Sequence, residues 1–174
     1  MPKFLLWLVI SLLILSTAAW PARSEYFSNM RGAQIIDSRQ ASAKAFVSIA
    51  QLMTGLTSLE LADEPQAKVQ LAESIRTMKQ AAWEFQALAE TNATVPLDVK
   101  FPDALTELAQ TSEVPAEKIA TVGDVLTITS QSLTTGAEVL DKFLNEPTKD
   151  NYTALRKSIE NILRTGDLSS KLLQ

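Results

Sequence analysis

The sequence predicts an all-α protein: an up-down-up-down antiparallel four-helix bundle, with a long connection containing a short helix between helices 2 and 3. Three observations carry this expectation. Ile119, Val122, Leu126, Thr129, Leu133, Gly136, Leu140 and Phe143 recur at alternating steps of four and three, the narrow stripe that a helix buries against its neighbours. Asp63-Glu64-Pro65 and Asn145-Glu146-Pro147 are two brief interruptions, each followed by a fresh helical pattern, and short loops make antiparallel neighbours. No strand-like alternation of comparable length occurs anywhere in the 174 residues.

Each element has its own signals. A first helix starts within residues 26–38 and ends near Ala62, with Ala43, Phe46, Ala50 and Met53 on one seam and Ile49, Leu52, Leu56 and Leu59 on the seam beside it. Asp63 then offers an N-cap and Pro65 a first-turn proline for the second helix, whose seam is Leu71, Ile75, Met78, Ala82, Phe85 and Ala89 and whose end falls at residues 91–93. From Thr94 to Pro115 the pattern breaks at Pro96, Pro102 and Pro115, leaving room for one short helix at Asp103 to Gln110. That connection holds Leu97, Val99, Phe101, Leu105 and Leu108, so it should pack across the bundle. The third helix opens at residues 112–116, with Pro115 in its first turn, and reaches about Leu144. Asn145-Glu146-Pro147 launches the fourth, with Tyr152, Leu155, Ile159 and Ile162 on its seam and Gly166 as a C-cap or weak point before a last apolar turn at Leu168, Leu172 and Leu173.

Residues 1–24 read as a secretory signal peptide ahead of a single domain at 25–174. Lys3 supplies the basic start, Phe4 to Leu15 the apolar run, and Ala22 and Ser24 the small residues before a cleavage site at Glu25. An uncleaved signal anchor is the alternative, because Phe4 to Trp20 approaches spanning length and Trp7 and Trp20 stand near its two ends. No cysteine follows the apolar run, so a lipoprotein anchor is excluded, and with no cysteine in the chain there are no disulfides and no thiol chemistry. This combination fits a bacterial periplasmic or secreted protein, membrane-anchored in the alternative; the sequons at Asn92 and Asn151 are read as chance matches.

Charge and composition exclude several functions. The full chain carries −4, and without Lys3 and Arg23 it has 14 basic against 20 acidic residues, the wrong sign for gathering phosphates, so no nucleic acid is expected as a partner. With neither histidine nor cysteine, haem would depend on Met30, Met53, Met78 or a tyrosine, and a ferritin-like metal pair lacks its Glu-x-x-His motif. The acidic groups at Glu60, Asp63 and Glu64 and at Glu138, Asp141 and Glu146 suit helix caps and solvated faces without the spacing of a calcium loop. No cofactor, no metal and no catalytic residue is expected, and the chain is read as a non-enzyme. The architecture is shared with periplasmic sensor domains of chemoreceptors and small haem-binding bundles, a likeness of topology that does not reach function.

Binding residues come from three features. Gln40 to Leu59 contains one charge, Lys44, and Ile119 to Ala137 contains one, Asp124, so the first and third helices are expected to be covered on more than one side, and a protein partner or self-association would meet them near Ser48 and Thr127. Trp83 lies about 120° from the second helix's seam, as an interface anchor or as a cap on the core beneath the long connection. Ala43, Ala82, Thr129 and Gly166 fall at one depth beside Phe46 and Phe85, which either lets helices approach closely or leaves a cavity where Phe46, Phe85 and Thr129 would hold a small ligand. The expected function is protein–protein binding by an exported accessory or structural subunit. A sensor-like bundle with a small ligand between its helices is the alternative.

Overall fold

A computed structural model describes residues 32–173, with side chains from Ser38 onward, so the expected signal peptide at residues 1–24 and the expected helix start within residues 26–38 fall wholly or partly outside the described residues. Five α-helices account for them: α1 Gly32–Glu60, α2 Glu64–Thr91, α3 Pro102–Ser112, α4 Val122–Asn145 and α5 Lys149–Leu172. Four are long and α3 is short, and among the described residues no strand forms. α1 packs on α2, α2 on α4, α4 on α5, and α3 on α5.

The local reasons are those of helix ends. Asp63 caps α2 by accepting from the Gln66 N–H at 3.2 Å, with Pro65 in the first turn where its missing N–H is no loss. The resemblance between Asn145-Glu146-Pro147 and this device is superficial. The fourth long helix starts later, at Lys149, because the Thr148 hydroxyl accepts from the Asn151 N–H at 3.2 Å and takes the cap position.

The start of the third long helix also differs from expectation. Residues 112–121 are not its opening turns: α3 ends with Glu113 in the left-handed region at φ 58°, Pro115 precedes a single 3₁₀ turn at Ala116–Lys118, and α4 begins only at Val122. What fixes that start is a reciprocal capping box, in which Thr121 Oγ1 accepts from the Asp124 N–H at 3.1 Å and the Asp124 carboxylate accepts from the Thr121 N–H at 2.8 Å. Ile119 is buried all the same, from outside the helix. At the other end of the chain, Gly166 neither caps nor breaks α5, which runs on to bury Leu168 and Leu172.

The core follows the seams. Leu71, Met78, Ala82, Phe85 and Ala89 of α2 meet Val122, Leu126, Leu133, Leu140 and Phe143 of α4, with Leu155, Ile162, Leu168 and Leu172 from α5. Of the two candidate seams of α1, the buried one holds Ile49 and Leu52, while Ala50 is exposed. The long connection is stitched to the start of α4: the Leu97 N–H donates to the Ala120 carbonyl at 2.9 Å and the Val122 N–H to the Val95 carbonyl at 2.9 Å. Both sequon asparagines are buried and their amides are engaged, Asn92 donating to the Leu88 carbonyl and Asn151 to the Glu146 carbonyl, each at 2.7 Å.

Candidate functional site: an aromatic cleft and an uncharged helix face

Small residues decide how the helices approach. The Ser130 hydroxyl donates to the Ala82 carbonyl at 2.7 Å, joining α4 to α2 backbone to side chain, and the Ser74 hydroxyl reaches the Ser48 carbonyl at 2.7 Å, joining α2 to α1. The Thr129 hydroxyl donates to the Val125 carbonyl of its own helix at 3.0 Å and shares a hydrogen bond with the Ser169 hydroxyl of α5 at 2.9 Å. A hydroxyl so placed satisfies its hydrogen-bonding need inside the core while taking up little room, so neighbouring backbones come close.

Where Ala82 and Ser130 draw α2 and α4 together, an open cleft of about 520 Å³ lies above them. α2 contributes Lys79, Trp83 and Gln86 to its lining; α4 contributes Gln131, Thr134, Thr135 and Glu138. Trp83 is 71% exposed, so the long connection does not cover it and it does not cap the core. Thr127, half-buried, stands one turn before Gln131 on α4 and does not line the cleft.

The other predicted binding residues are dispersed. Ser48 is fully buried between α1 and α2, its hydroxyl donating to the Ala45 carbonyl at 2.6 Å, so it presents nothing at the surface. Its expected exposure fails because the buried side of α1 runs through Ala41, Ser48, Leu52 and Gly55, roughly opposite the alanine seam read from the sequence. Phe85 belongs to the core, Phe46 is half-buried on α1, and Thr129 is turned to α5; none of the three lines the cleft. Gly166 is exposed, with open space where a side chain would be, and so leaves the small-residue layer.

One surface was not singled out from the sequence. Ala43, Val47, Ala50, Thr54, Thr57 and Leu61 repeat at steps of four and three along the outer side of α1 and just past its end. Val47 is 47% and Leu61 76% exposed. The Thr54 and Thr57 hydroxyls donate to the Ala50 and Met53 carbonyls, both at 2.9 Å, which leaves their methyl groups to define the surface. From Ala45 to Leu59 there is no charged residue, and Lys44 is paired with Glu84 of α2. The signal was available as a third heptad register, sharing Ala43 and Ala50 with the alanine seam, and was masked because a wide apolar helix fits several registers at once.

Titration adds one feature. Burial pushes the Asp124 carboxyl up, but hydrogen bonds from the Thr121 hydroxyl and from the Thr121 and Ala120 N–H groups outweigh it and hold the group below the ordinary aspartate value. That carboxylate is consumed by the cap. Among the described residues no group of three metal-ligating side chains forms and no helix is long and apolar enough to cross a membrane. No protein-family model, no curated protein and no solved structure matches the chain.

Proposed function

We propose that this is an exported, non-enzymatic helical protein that acts by protein–protein binding, and that the outer face of α1 is where it binds a second copy of itself. The observation that carries the reading is the heptad stripe from Ala43 to Leu61, exposed at Val47, Ala50, Thr54 and Leu61, on a helix that among the described elements packs closely only on α2. A stripe of this kind is a seam for another helix, since apolar groups at alternating three and four spacing pack into the holes of a partner. A second copy fits better than an unlike partner for an electrostatic reason. The chain is acidic overall, at −4, and a two-fold axis brings like groups together, so self-association favours a face without charge.

The arrangement of the long helices is part of the proposal: an up-down-up-down bundle, open along the side between α1 and α5. Supporting it, Lys44 meets Glu84 while Ser48 meets Ser74, Ala82 meets Ser130 while Ala89 lies against Gly123, and Thr129 meets Ser169 while Gly136 lies against Ile162. In each pair the numbering rises on one helix as it falls on the next.

Sedimentation velocity over about a hundredfold concentration range tests association, the expected result being a mass that rises to twice the monomer. Because the chain has no cysteine, Ala50→Cys supplies a clean crosslink; it should give covalent dimer on mild oxidation, while Ala72→Cys on α2 should not. A monomer at every concentration, with no Ala50→Cys crosslink, overturns the reading. Export is tested separately by the mass of the mature chain: an N-terminus near Glu25 is expected, and retention of Met1 in a membrane fraction would replace the free protein with a tethered one.

A further inference from the structure

We propose that the cleft between α2 and α4 is a binding site for a neutral saccharide, with Trp83 as the platform for one sugar ring. The inference stands apart from the α1 surface and uses none of its residues. Three properties of the cleft point to this ligand class. First, its volume of about 520 Å³ is that of a small-molecule site, and Trp83 is its only large apolar lining residue. One exposed indole is far short of the apolar core of a protein interface, which buries roughly 1,000 Å² or more in total. Secondly, everything facing the indole from α4 is polar: Gln131, Thr134 and Thr135 offer amide and hydroxyl groups, and Gln86 adds a second amide from α2. A ligand there must be apolar on one face and able to give and take hydrogen bonds around its edge. A pyranose is both, with a C–H face that lies on an aromatic ring and hydroxyls spread around its rim. Thirdly, Lys79 and Glu138 bring one charge of each sign, so the cleft selects neither anion nor cation, which disfavours a nucleotide or a phosphorylated sugar. The open mouth suits the same class, because such a ligand keeps part of its rim in water.

The floor explains why the platform is free. Ala82 and Ser130 are small and joined by a hydrogen bond, so α2 and α4 close beneath the cleft and Trp83, one residue on, is carried outward instead of into the core. Trp83→Ala should therefore fold normally.

The test is calorimetric titration of the purified protein with β-1,4-linked tetramers of glucose, mannose and N-acetylglucosamine, alongside Trp83→Ala, Trp83→Tyr and Gln131→Ala, each checked by thermal unfolding. Expected is binding of at least one tetramer, about tenfold or more weaker in Trp83→Ala and largely kept in Trp83→Tyr, which preserves a ring to stack on. Binding of none of the three, binding untouched by Trp83→Ala in a normally folded variant, or protection of Trp83 by a bound protein in place of a sugar would each overturn the proposal. Loss of dimerisation in Ala50 variants would leave sugar binding unchanged, so the two surfaces fail separately.

Discussion

α1 and α4 share one property in the sequence, long stretches nearly free of charge, and the structure treats them differently. α4 lies between α2 and α5, and it buries Val122, Val125, Leu126, Ile128, Thr129, Ser130, Leu133 and Ala137 on successive sides. Among the described elements α1 packs closely only on α2, and Val47, Ala50 and Thr54 are exposed. Missing charge therefore marks a helix that is to be covered, without saying by what. For α4 the cover is the rest of this chain; for α1 the described residues supply only part of it.

The largest difference between the two helices should appear at their glycines. A Cβ at Gly123 of α4 would stand 2.7 Å from the Ala89 carbonyl oxygen and 2.8 Å from the Ala93 Cα, backbone atoms that cannot turn aside. At Gly55 of α1 the two closest contacts, both at 2.6 Å, are side-chain atoms of buried Leu71, with its backbone nitrogen farther off at 3.2 Å, so the clash there is chiefly with a side chain. Gly123→Ala should cost about 3 kcal/mol in urea-induced unfolding and Gly55→Ala about 1 kcal/mol. Equal costs would mean that α1 is held as tightly as α4, and its outer face would then need no partner.

A smaller effect separates the helix starts. Asp63 holds α2 by one exposed hydrogen bond, whereas Asp124 is the centre of the box that starts α4. Because Asp124 sits below its ordinary value of 3.8 in the folded protein, it contributes stability that is complete above that pH and is lost as pH falls through the folded value. Asp124→Asn should cost about 1 kcal/mol at neutral pH and flatten the acid side of the stability curve, and Asp63→Asn should do neither to a comparable degree. Thermal unfolding between pH 2 and 6 reads both.

How much of this was legible in the sequence depended on what decides each feature. Helix identity was legible, since the seams of α2 and α4 and the Asp63 and Pro65 start of α2 are local patterns. The start of α4 was less so: Pro115 is as good a first-turn residue as any, and only the Thr121 and Asp124 pairing, competing with it seven residues on, moves the start to Val122. The site was legible only at Trp83, whose place off the seam set it apart but left an interface anchor and a cap beneath the long connection both open; its exposure and its neighbours are tertiary. Ser48 was misplaced because a wide apolar helix has several seams, and which one is buried is settled by tertiary contacts such as that with Ser74. Phe46, Phe85 and Thr129 share a depth along the bundle but not a direction around it, which residue counting cannot supply.

Gly166 gives a gentler comparison within α5. It lies mid-helix, exposed, with nothing within 4 Å of a built Cβ, so Gly166→Ala removes a flexible residue at no steric cost. It should stabilise the protein by about 0.5–1 kcal/mol in the same urea assay that penalises Gly123→Ala. A loss at Gly166 would place another element, α1 or a second copy, against that side of α5.

The smallest change in stability belongs to the α1 face, and there it is the most telling. Val47 has no close-packed core role to lose and no buried charge would be created at a site 47% exposed, so Val47→Glu should alter unfolding of the isolated chain by under about 0.5 kcal/mol. In a dimer the same carboxylate would be pressed against an uncharged stripe and, across the two-fold axis, near its own copy, and both effects oppose association. Sedimentation should therefore find Val47→Glu monomeric at concentrations where the parent chain is dimeric, with the two unfolding curves superimposed at low concentration. A variant that unfolds early would make Val47 part of this chain's own core. One that folds normally and still dimerises would move the interface off α1, leaving the absence of charge from Ala45 to Leu59 without a partner to account for it.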